Sequence, residues 1–595
     1  MFSRYHKYIK KTVNTLYRNN HSITGSKLIY NKLLDNGVKD VFMYSGGAIM
    51  PLVDCFYNNS INYYIPTNEL SLGLSAVGYA KSTGNPGVCI VTSGPGLTNM
   101  VTSLTDANND STPLIVLSGQ VPLKAMGTLA FQECPATDIT KSVTKWSYCV
   151  KNTSELGDVI DEAFYISKSG KPGSVHIDLP KCILNNKYER KGYSMRESSR
   201  PNYFDSGSQF WENIEKATSI INNSKKPILY LGKGCLNYHS QITELAKFCN
   251  IPVTTTLHAM GVFNENEDLS LKMVGMHGSM TANLSIQESD LVIAVGSRFD
   301  DRTTGLASKY APNAKIIQIN IDKKEENKVF KADTFFNNDV GLVLQYLRPR
   351  LNKNISSLEW IDSIRKKKKK YPFDYKKTDK IKTQDVLKEL NNFLENREKY
   401  FVTTGVGNHQ MMACQYINWK YPRSIISSGS LGVMGAGLPY AIGCQIANPN
   451  SLVIDVDGDG SFNMTGMELI TIKRYNLPIK IFIMNNKKQD MVRVWEDLFF
   501  EKRFTATDLP ENPDYCKMAT SFGIKSIRCN LKEDIKEKID YALKYKGPIL
   551  VDFVTDTDYC LPLVAPGKSL EETFNYQDNN LPQGDESFKN VLPPS

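Results

Sequence analysis

The stretch VDGDGSFNMTGMELITIKRYNLPIKIFIMNNKKQD, residues 456–490, sets two unlike strand ends side by side. The apolar run SLVIDVDGD closes on acids and glycines, and the next one, LPIKIFIMNN, closes on two asparagines. Uninterrupted Val/Ile runs read as strands of a parallel sheet buried on both faces. In open α/β sheets ligands bind beyond the carboxyl ends of the strands. Gly458 and Gly460 let the backbone approach a ligand closely. Asp459 offers a hard anionic oxygen, and Asn485 and Asn486 offer neutral ones. The segment GMELITIKRYN predicts a helix whose first amides suit a phosphate. One carboxylate, one amide oxygen and one backbone carbonyl, completed by phosphate oxygens and water, suit Mg²⁺. The stretch reads as a magnesium–diphosphate clasp on two neighbouring strand ends.

Outward from the clasp, three regions alternate strand-like and helical patterns. The first, about 23–183, holds VKDVFMYS, GVCIVTS, PLIVLSG and SVHIDLP. The second runs from KKPILYLGKG to LVLQYL and holds IPVTTTL, DLVIAVG and AKIIQINI. The third holds YFVTTG, the clasp and PILVDFV. Each pattern predicts a parallel sheet flanked by helices, so the fold class is α/β in three consecutive domains. The boundaries expected are a basic extension, 1–21; domains at 22–190, 208–350 and 381–570; a basic linker, 351–380; and a C-terminal tail, 571–595, poorly ordered or lid-like from Asn575.

The composition, 41% hydrophobic and 22% charged over 595 residues, is that of a globular chain with sizeable cores. No apolar run reaches the length of a membrane span. The net charge of +9 gathers at the N-terminus and in RKKKKK, 365–370. The latter lies in a polar stretch and reads as a solvated linker or helix face, not a nucleic-acid site. The basic, acid-free N-terminus fits an organelle transit peptide, for mitochondrion or plastid, as well as it fits an extended tail. Twelve scattered cysteines without a C-x-x-C pair exclude a zinc site and a disulfide framework.

The 24 residues from 461 to 484 separate GDG from NN. That spacing resembles the motif of thiamine diphosphate enzymes. Such enzymes need a carboxylate opposite N1′ of the aminopyrimidine ring, and Glu69 precedes GYAKSTGNPGVCIVTSGPG in the family's pattern. Further segments narrow the resemblance: SGGAIMPLVD, SGQVP, AFQE, GKPGSVHIDLPK, GMHGSMTAN, GSRFDDRTTG, TTGVGNHQM, GSLGVMGAGLP and MVRVWED. Over about residues 22–575 the chain resembles the catalytic subunits of the acetohydroxyacid (acetolactate) synthase family. The resemblance implies two thiamine diphosphate-binding folds around a central FAD-binding domain of dinucleotide type.

It also implies roles. Glu69 would activate the cofactor, Phe131 and Gln132 would line the reacting centre, and Trp495 and Lys181 would shape and border the substrate pocket. Val406, Gly407, Asn408, His409, Gly458, Gly460, Ser461 and Met491 would hold thiamine diphosphate, with Met434 wedging it into a bent shape. Asp459, Asn486 and the Lys488 carbonyl would bind Mg²⁺. In the middle domain, Gly232, Gly234, Thr256, Leu257, Met276, His277, Gly296, Arg298, Asp300, Arg302, Asn320 and Asp339 match the segments that contact FAD, a mainly structural cofactor there. The reaction implied is decarboxylation of pyruvate and condensation of the resulting carbanion with a second 2-keto acid, pyruvate or 2-oxobutyrate, in branched-chain amino acid biosynthesis. A homodimer or homotetramer with sites at the subunit interface follows, with room for a separate regulatory subunit.

The chain departs from the family near the chemistry. Ser45, Asn68, Leu70, Asp490 and Val494 stand where Pro, His, Gln, Gly and Gln are usual, Lys233 sits in a small-residue turn, and Asn320 stands where an acid is usual. Two rival readings follow from them: another thiamine diphosphate carboligase, decarboxylase or oxidase, and a catalytically degenerate cofactor-binding scaffold.

Overall fold

The computed structural model describes residues 23–188 and 207–578. The basic extension 1–21 lies outside the described residues. Three six-stranded parallel sheets follow one another along the chain. The first comprises β1 (Asp40–Met43), β2 (Asn62–Tyr64), β3 (Gly87–Val91), β4 (Leu114–Gln120), β5 (Trp146–Cys149) and β6 (Ser174–Pro180), in the order β2-β1-β3-β4-β6-β5. The second comprises β7 (Pro227–Leu231), β8 (Val253–Thr255), β9 (Ser270–Met273), β10 (Leu291–Val295), β11 (Lys315–Ile319) and β12 (Thr334–Phe336), in the order β12-β11-β10-β7-β8-β9. The third comprises β13 (Tyr400–Thr404), β14 (Ile425–Ile426), β15 (Leu452–Gly458), β16 (Lys480–Asn485), β17 (Lys525–Cys529) and β18 (Ile549–Val554), in the order β14-β13-β15-β16-β18-β17. Strands β3, β4, β6, β7 and β10 are buried at every residue. Helices cover both faces, so no polar alternation is needed. The expectation of three parallel-sheet units holds.

The first and third units share one core. Leu72, Leu74 and Val77 of the Glu69–Thr83 helix pack with Leu438, Tyr440 and Ile442 of the Gly437–Ala447 helix. Glycines make the contact close. A Cβ on Gly78 would lie 2.4 Å from the Tyr440 carbonyl oxygen, and one on Gly443 would lie 1.7 Å from that of Ser75. These pairings show that the two helices run antiparallel. Gly443→Ala is expected to destabilise the chain by about 3 kcal/mol, the upper end for an overpacked core. Urea melts check this, and an unchanged midpoint would contradict it.

Two sequence expectations need correction. The stretch read as a basic linker, 351–380, contains a helix, Leu358–Lys370, capped by Ser357. Its Trp360, Ile361 and Ile364 are buried, and Trp360 Nε1 donates to the Pro227 carbonyl of β7. These apolar residues sit at helical spacing, but the lysine run following them dominates the composition. Arg365 pairs with Asp268 and Lys367 with Glu288, as a solvated helix face does. The C-terminal tail, bounded at 571 and read as poorly ordered or lid-like from Asn575, is packed as far as 578. There Thr573–Phe574 pairs with Leu563–Val564, and Thr573 and Asn575 are buried. Residues 579–595 lie outside the described part. All twelve cysteines are free thiols. No described helix is long and apolar enough to cross a membrane.

Candidate active site

β15 and β16 pair in register from Ile454↔Lys480 to Gly458↔Met484, which brings Asp459 beside Asn485 and Asn486. The helix expected from Gly466 begins earlier, at Asp459, and continues through a 3₁₀ turn into Leu469–Arg474. Gly460 and Ser461 therefore lie in its first turn, where backbone amides have no intrahelical carbonyl to bond. Asp459 is buried. Its Oδ1 accepts from Gly460 N at 2.9 Å, and its Oδ2 accepts from Lys487 N at 2.6 Å and Asn512 Nδ2 at 2.7 Å. Burial pushes its carboxyl up to about 6 against these hydrogen bonds, the response of an acid in a low-dielectric site. Asn486 Oδ1 accepts from Lys488 N at 3.1 Å, and the Lys488 ammonium turns to Asp508 at 2.6 Å.

Around the clasp stand the other residues expected at a diphosphate. Gly407, at φ +155°, leads from Val406 into the Asn408–Tyr416 helix. His409 packs on Gly458, where a Cβ would lie 2.7 Å from its Nδ1. His409 Nε2 is buried and makes no hydrogen bond, its nearest acid oxygen being Asp457 Oδ1 at 3.4 Å. Ser461 Oγ accepts from Gly435 N at 2.9 Å, and Met434 Cε comes within 3.9 Å of a Cβ position on Gly460. The Asp490–Phe499 helix opens beside this ring and carries Met491 and Trp495, whose ring meets Phe499 edge-on at 5.3 Å. An unbonded buried imidazole nitrogen, glycines at close approach and helix amides fit a diphosphate; Asp459 and Asn486 fit its divalent cation.

Glu69, Gln132, Phe131 and Lys181 are not part of this ring; they stand at the strand ends of the first sheet. Glu69 begins its helix, is half-exposed and accepts from Asn99 Nδ2 at 3.0 Å. Gln132 holds φ +61° on the loop that covers Gly94. Lys181 opens the short helix after β6. Phe131 is 89% exposed and Leu129 94%, an apolar pair with nothing over it in the single chain. The antiparallel helix pairing separates the two groups. Gly437, whose Cβ position touches Gly405 and Asp457, is at the clasp end, and Glu69 is at the other. At 1.5 Å per residue the offset along the axes comes to roughly 18 Å.

In the middle sheet every expected residue stands at the carboxyl end of a strand. Gly232 and Gly234 follow β7, Thr256 and Leu257 follow β8, and Met276 and His277 follow β9. Gly296, Arg298, Asp300 and Arg302 follow β10, Asn320 follows β11, and Asp339 follows β12. A Cβ on Gly232 would lie 2.3 Å from Gly296 O, so the turns after β7 and β10 are in backbone contact where the strand order reverses. That is the crevice in which doubly wound sheets bind dinucleotides. His277 is buried, with Nδ1 on the Cys560 carbonyl at 3.0 Å, and desolvation depresses it to about 4. Two residues carry structural duties. Asp339 caps the Val340–Leu347 helix and takes the Tyr238 hydroxyl. Asn320 donates to Ser297 O at 2.8 Å.

Family models agree with this layout. Residues 23–141 match "Thiamine pyrophosphate enzyme, N-terminal TPP binding domain", 214–347 the central domain and 405–553 the C-terminal TPP binding domain. The chain is 42% identical to the mitochondrial acetolactate synthase catalytic subunit of Saccharomyces cerevisiae, over 93% of this chain and 84% of the relative. It is 40% identical to the acetolactate synthase large subunit of Cyanidium caldarium, over 93% and 97%. It is 38% identical to the chloroplastic acetolactate synthase of Arabidopsis thaliana, over 94% and 85%.

The chain belongs to the acetolactate synthase family.

Two of its departures from that family can be placed locally. Asn68 is the N-cap of the Glu69 helix, accepting from Ser71 N at 2.9 Å. Asp490 takes Asn408 Nδ2 at 3.1 Å and leaves its buried Oδ1 unbonded, and burial lifts its carboxyl to about 7. Ionised, this acid would oppose a diphosphate held at the clasp. Asp490→Asn is expected to tighten the binding of thiamine diphosphate with Mg²⁺ by about tenfold, the equivalent of one pKa unit of repulsion. Calorimetric titration checks this, and unchanged or weaker binding would contradict it. Two groups at the site escaped the sequence reading. Asn512 reaches Asp459 from a loop with no motif, and Asp558 stands near Asn408 through its carbonyl at 3.4 Å. Neither carries a local signal.

Proposed function

We propose that the chain is the catalytic subunit of an acetolactate synthase that decarboxylates pyruvate and joins the two-carbon unit to a second 2-keto acid, pyruvate or 2-oxobutyrate, toward branched-chain amino acids. The observation that carries this is the pairing of Asp459 with Asn485–Asn486 on adjacent strand ends, in a chain whose relatives are named acetolactate synthases. Thiamine diphosphate, when bound, supplies the carbon nucleophile and electron sink that the reaction requires.

The chain's own residues do the rest. Asp459, Asn486 and the Lys488 carbonyl hold Mg²⁺. Val406, Gly407, Asn408, His409, Gly458, Gly460, Ser461 and Met491 would hold the diphosphate, with Met434 packed against the bound cofactor. Glu69 exchanges a proton with ring nitrogen N1′. Gln132 and Phe131 close over the reacting centre, with Trp495 and Lys181 beside the second keto acid. The strand-end turns of the middle sheet would hold FAD, where the backbone contact of Gly232 with Gly296 leaves room for no side chain.

The axial offset of roughly 18 Å between Glu69 and Gly437 within one chain supports a homodimer, or a tetramer built from it, in which each site takes Glu69 from one subunit and the clasp from another. Bare Phe131 and Leu129 support this too, because large exposed apolar groups at a site are normally covered by a partner. The words "catalytic subunit" and "large subunit" in the relatives' names support a separate regulatory subunit. Their mitochondrial and chloroplastic labels, with the basic composition of 1–21, support organelle import.

The test is incubation with pyruvate, thiamine diphosphate, Mg²⁺ and FAD. Acetolactate, read as acetoin after acid treatment, is expected. Acetaldehyde or peroxide as the main product would overturn the proposal in favour of a sister enzyme.

A further inference from the structure

The loop Ser427–Gly435 carries Met434 to the clasp, and an unusual number of bonds to other domains hold it. Asp110 of the first domain accepts from Gly429 N at 3.1 Å and Ser430 N at 2.8 Å. Asp106 accepts from Ser428 Oγ, which in turn takes Val433 N at 3.0 Å. Lys81 joins Asp110 Oδ2 and the Ser427 carbonyl, each at 2.7 Å. Asp106 and Asp110 are both fully desolvated, so these bonds cannot be exchanged for water without cost.

Three residues of the middle domain meet the same node. His258 Nε2 stands 3.0 Å from Asp110 Oδ1, and a Cβ on Gly429 would lie 2.3 Å from that nitrogen. Lys233 donates to the Asp110 carbonyl and to Thr112 Oγ1 at 2.7 Å. Arg298 Nη2 donates to Ser430 Oγ at 2.9 Å. All three belong to the strand-end turns assigned to the flavin crevice: Lys233 lies between Gly232 and Gly234, His258 follows Leu257, and Arg298 follows Gly296.

We propose that Asp110 is a positioning residue that ties the Ser427–Gly435 loop, and with it Met434, to the turns of the flavin crevice, so that filling one cofactor site tightens the other. This rests on the flavin reading of the middle domain. Flavin orders the turns carrying Lys233, His258 and Arg298; they fix Asp110 and Ser430; and the loop reaches its cofactor-holding position already ordered. Linkage makes the effect reciprocal.

The experiment titrates thiamine diphosphate with Mg²⁺ into the flavin-free and FAD-loaded full chain by tryptophan fluorescence, then titrates FAD with and without thiamine diphosphate. FAD is expected to tighten thiamine diphosphate about tenfold, and the reverse titration to return the same factor, within the usual range of such couplings. Asp110→Asn, confirmed folded by circular dichroism, is expected to bind each cofactor but to reduce the factor to about one. Ser430→Ala, which removes the Arg298 link and the Ser430 Oγ bond to the Asn109 carbonyl but keeps Ser430 N on Asp110, is expected to reduce it about threefold and serves if Asp110→Asn does not fold. A wild-type chain that binds FAD without coupling, or variants with the full factor, would overturn this proposal alone. Failure of the wild-type chain to bind FAD would overturn it together with the flavin reading.

Discussion

Glu69→Gln is expected to lower acetolactate formation by about 10³-fold, within the range for removing a positioned acid–base group. The affinity for thiamine diphosphate and Mg²⁺ should stay within about twofold, since no clasp residue is altered. The split follows from placement. Glu69 accepts a bond from Asn99 at the start of its helix, apart from Asp459 and the turns around it. Gln keeps the shape and the Asn99 bond but cannot exchange a proton with N1′. Steady-state turnover with a parallel cofactor titration reads both quantities. An active Glu69→Gln enzyme would remove Glu69 from the mechanism, and a parallel loss of cofactor affinity would mean that it binds and does not activate.

Asp459→Ala is expected to fail in the opposite way. Asp459 is the one carboxylate assigned to the metal, and its oxygens also gather Gly460 N, Lys487 N and Asn512 Nδ2. Removing it takes away a ligand and releases the turn after β16, so the loss should exceed the 10–100-fold typical of outer-shell changes, at about 100-fold or more in Mg²⁺-dependent cofactor binding. Saturating cofactor should restore part of the turnover, because Glu69 is untouched. Unchanged Mg²⁺ dependence of binding would place the metal elsewhere.

The clasp was legible in the sequence because each half is local: an apolar run, then the residues that end it. Register added only that Gly458 pairs with Met484, which the spacing of GDG and NN already implied. The strand-end turns of the middle sheet were legible for the same reason. What the sequence hid depends on packing between distant segments. Gly78 and Gly443 look like ordinary helix glycines until a carbonyl of the other helix occupies the place of each Cβ. Asp106, Asp110 and Lys81 look like surface charges until all three are buried together between domains. Asn512 has no pattern around it, and Trp360 and Ile364 were masked by the lysines that follow them. The start of the Asp459 helix is not legible because Gly458 and Gly460 read as places of close approach to a ligand, whereas Gly460 sits in the first turn.

In the proposed enzyme each active site is divided between two copies of the chain. The direct measurement mixes inactive Glu69→Gln and Asp459→Ala chains, unfolds and refolds them together, and assays acetolactate. If the sites are shared, each mixed dimer holds one intact site, and random pairing should restore about a quarter of wild-type activity. If one chain supplies both Glu69 and Asp459 to its own site, no mixture can contain an intact site, and activity would stay at the level of the separate variants.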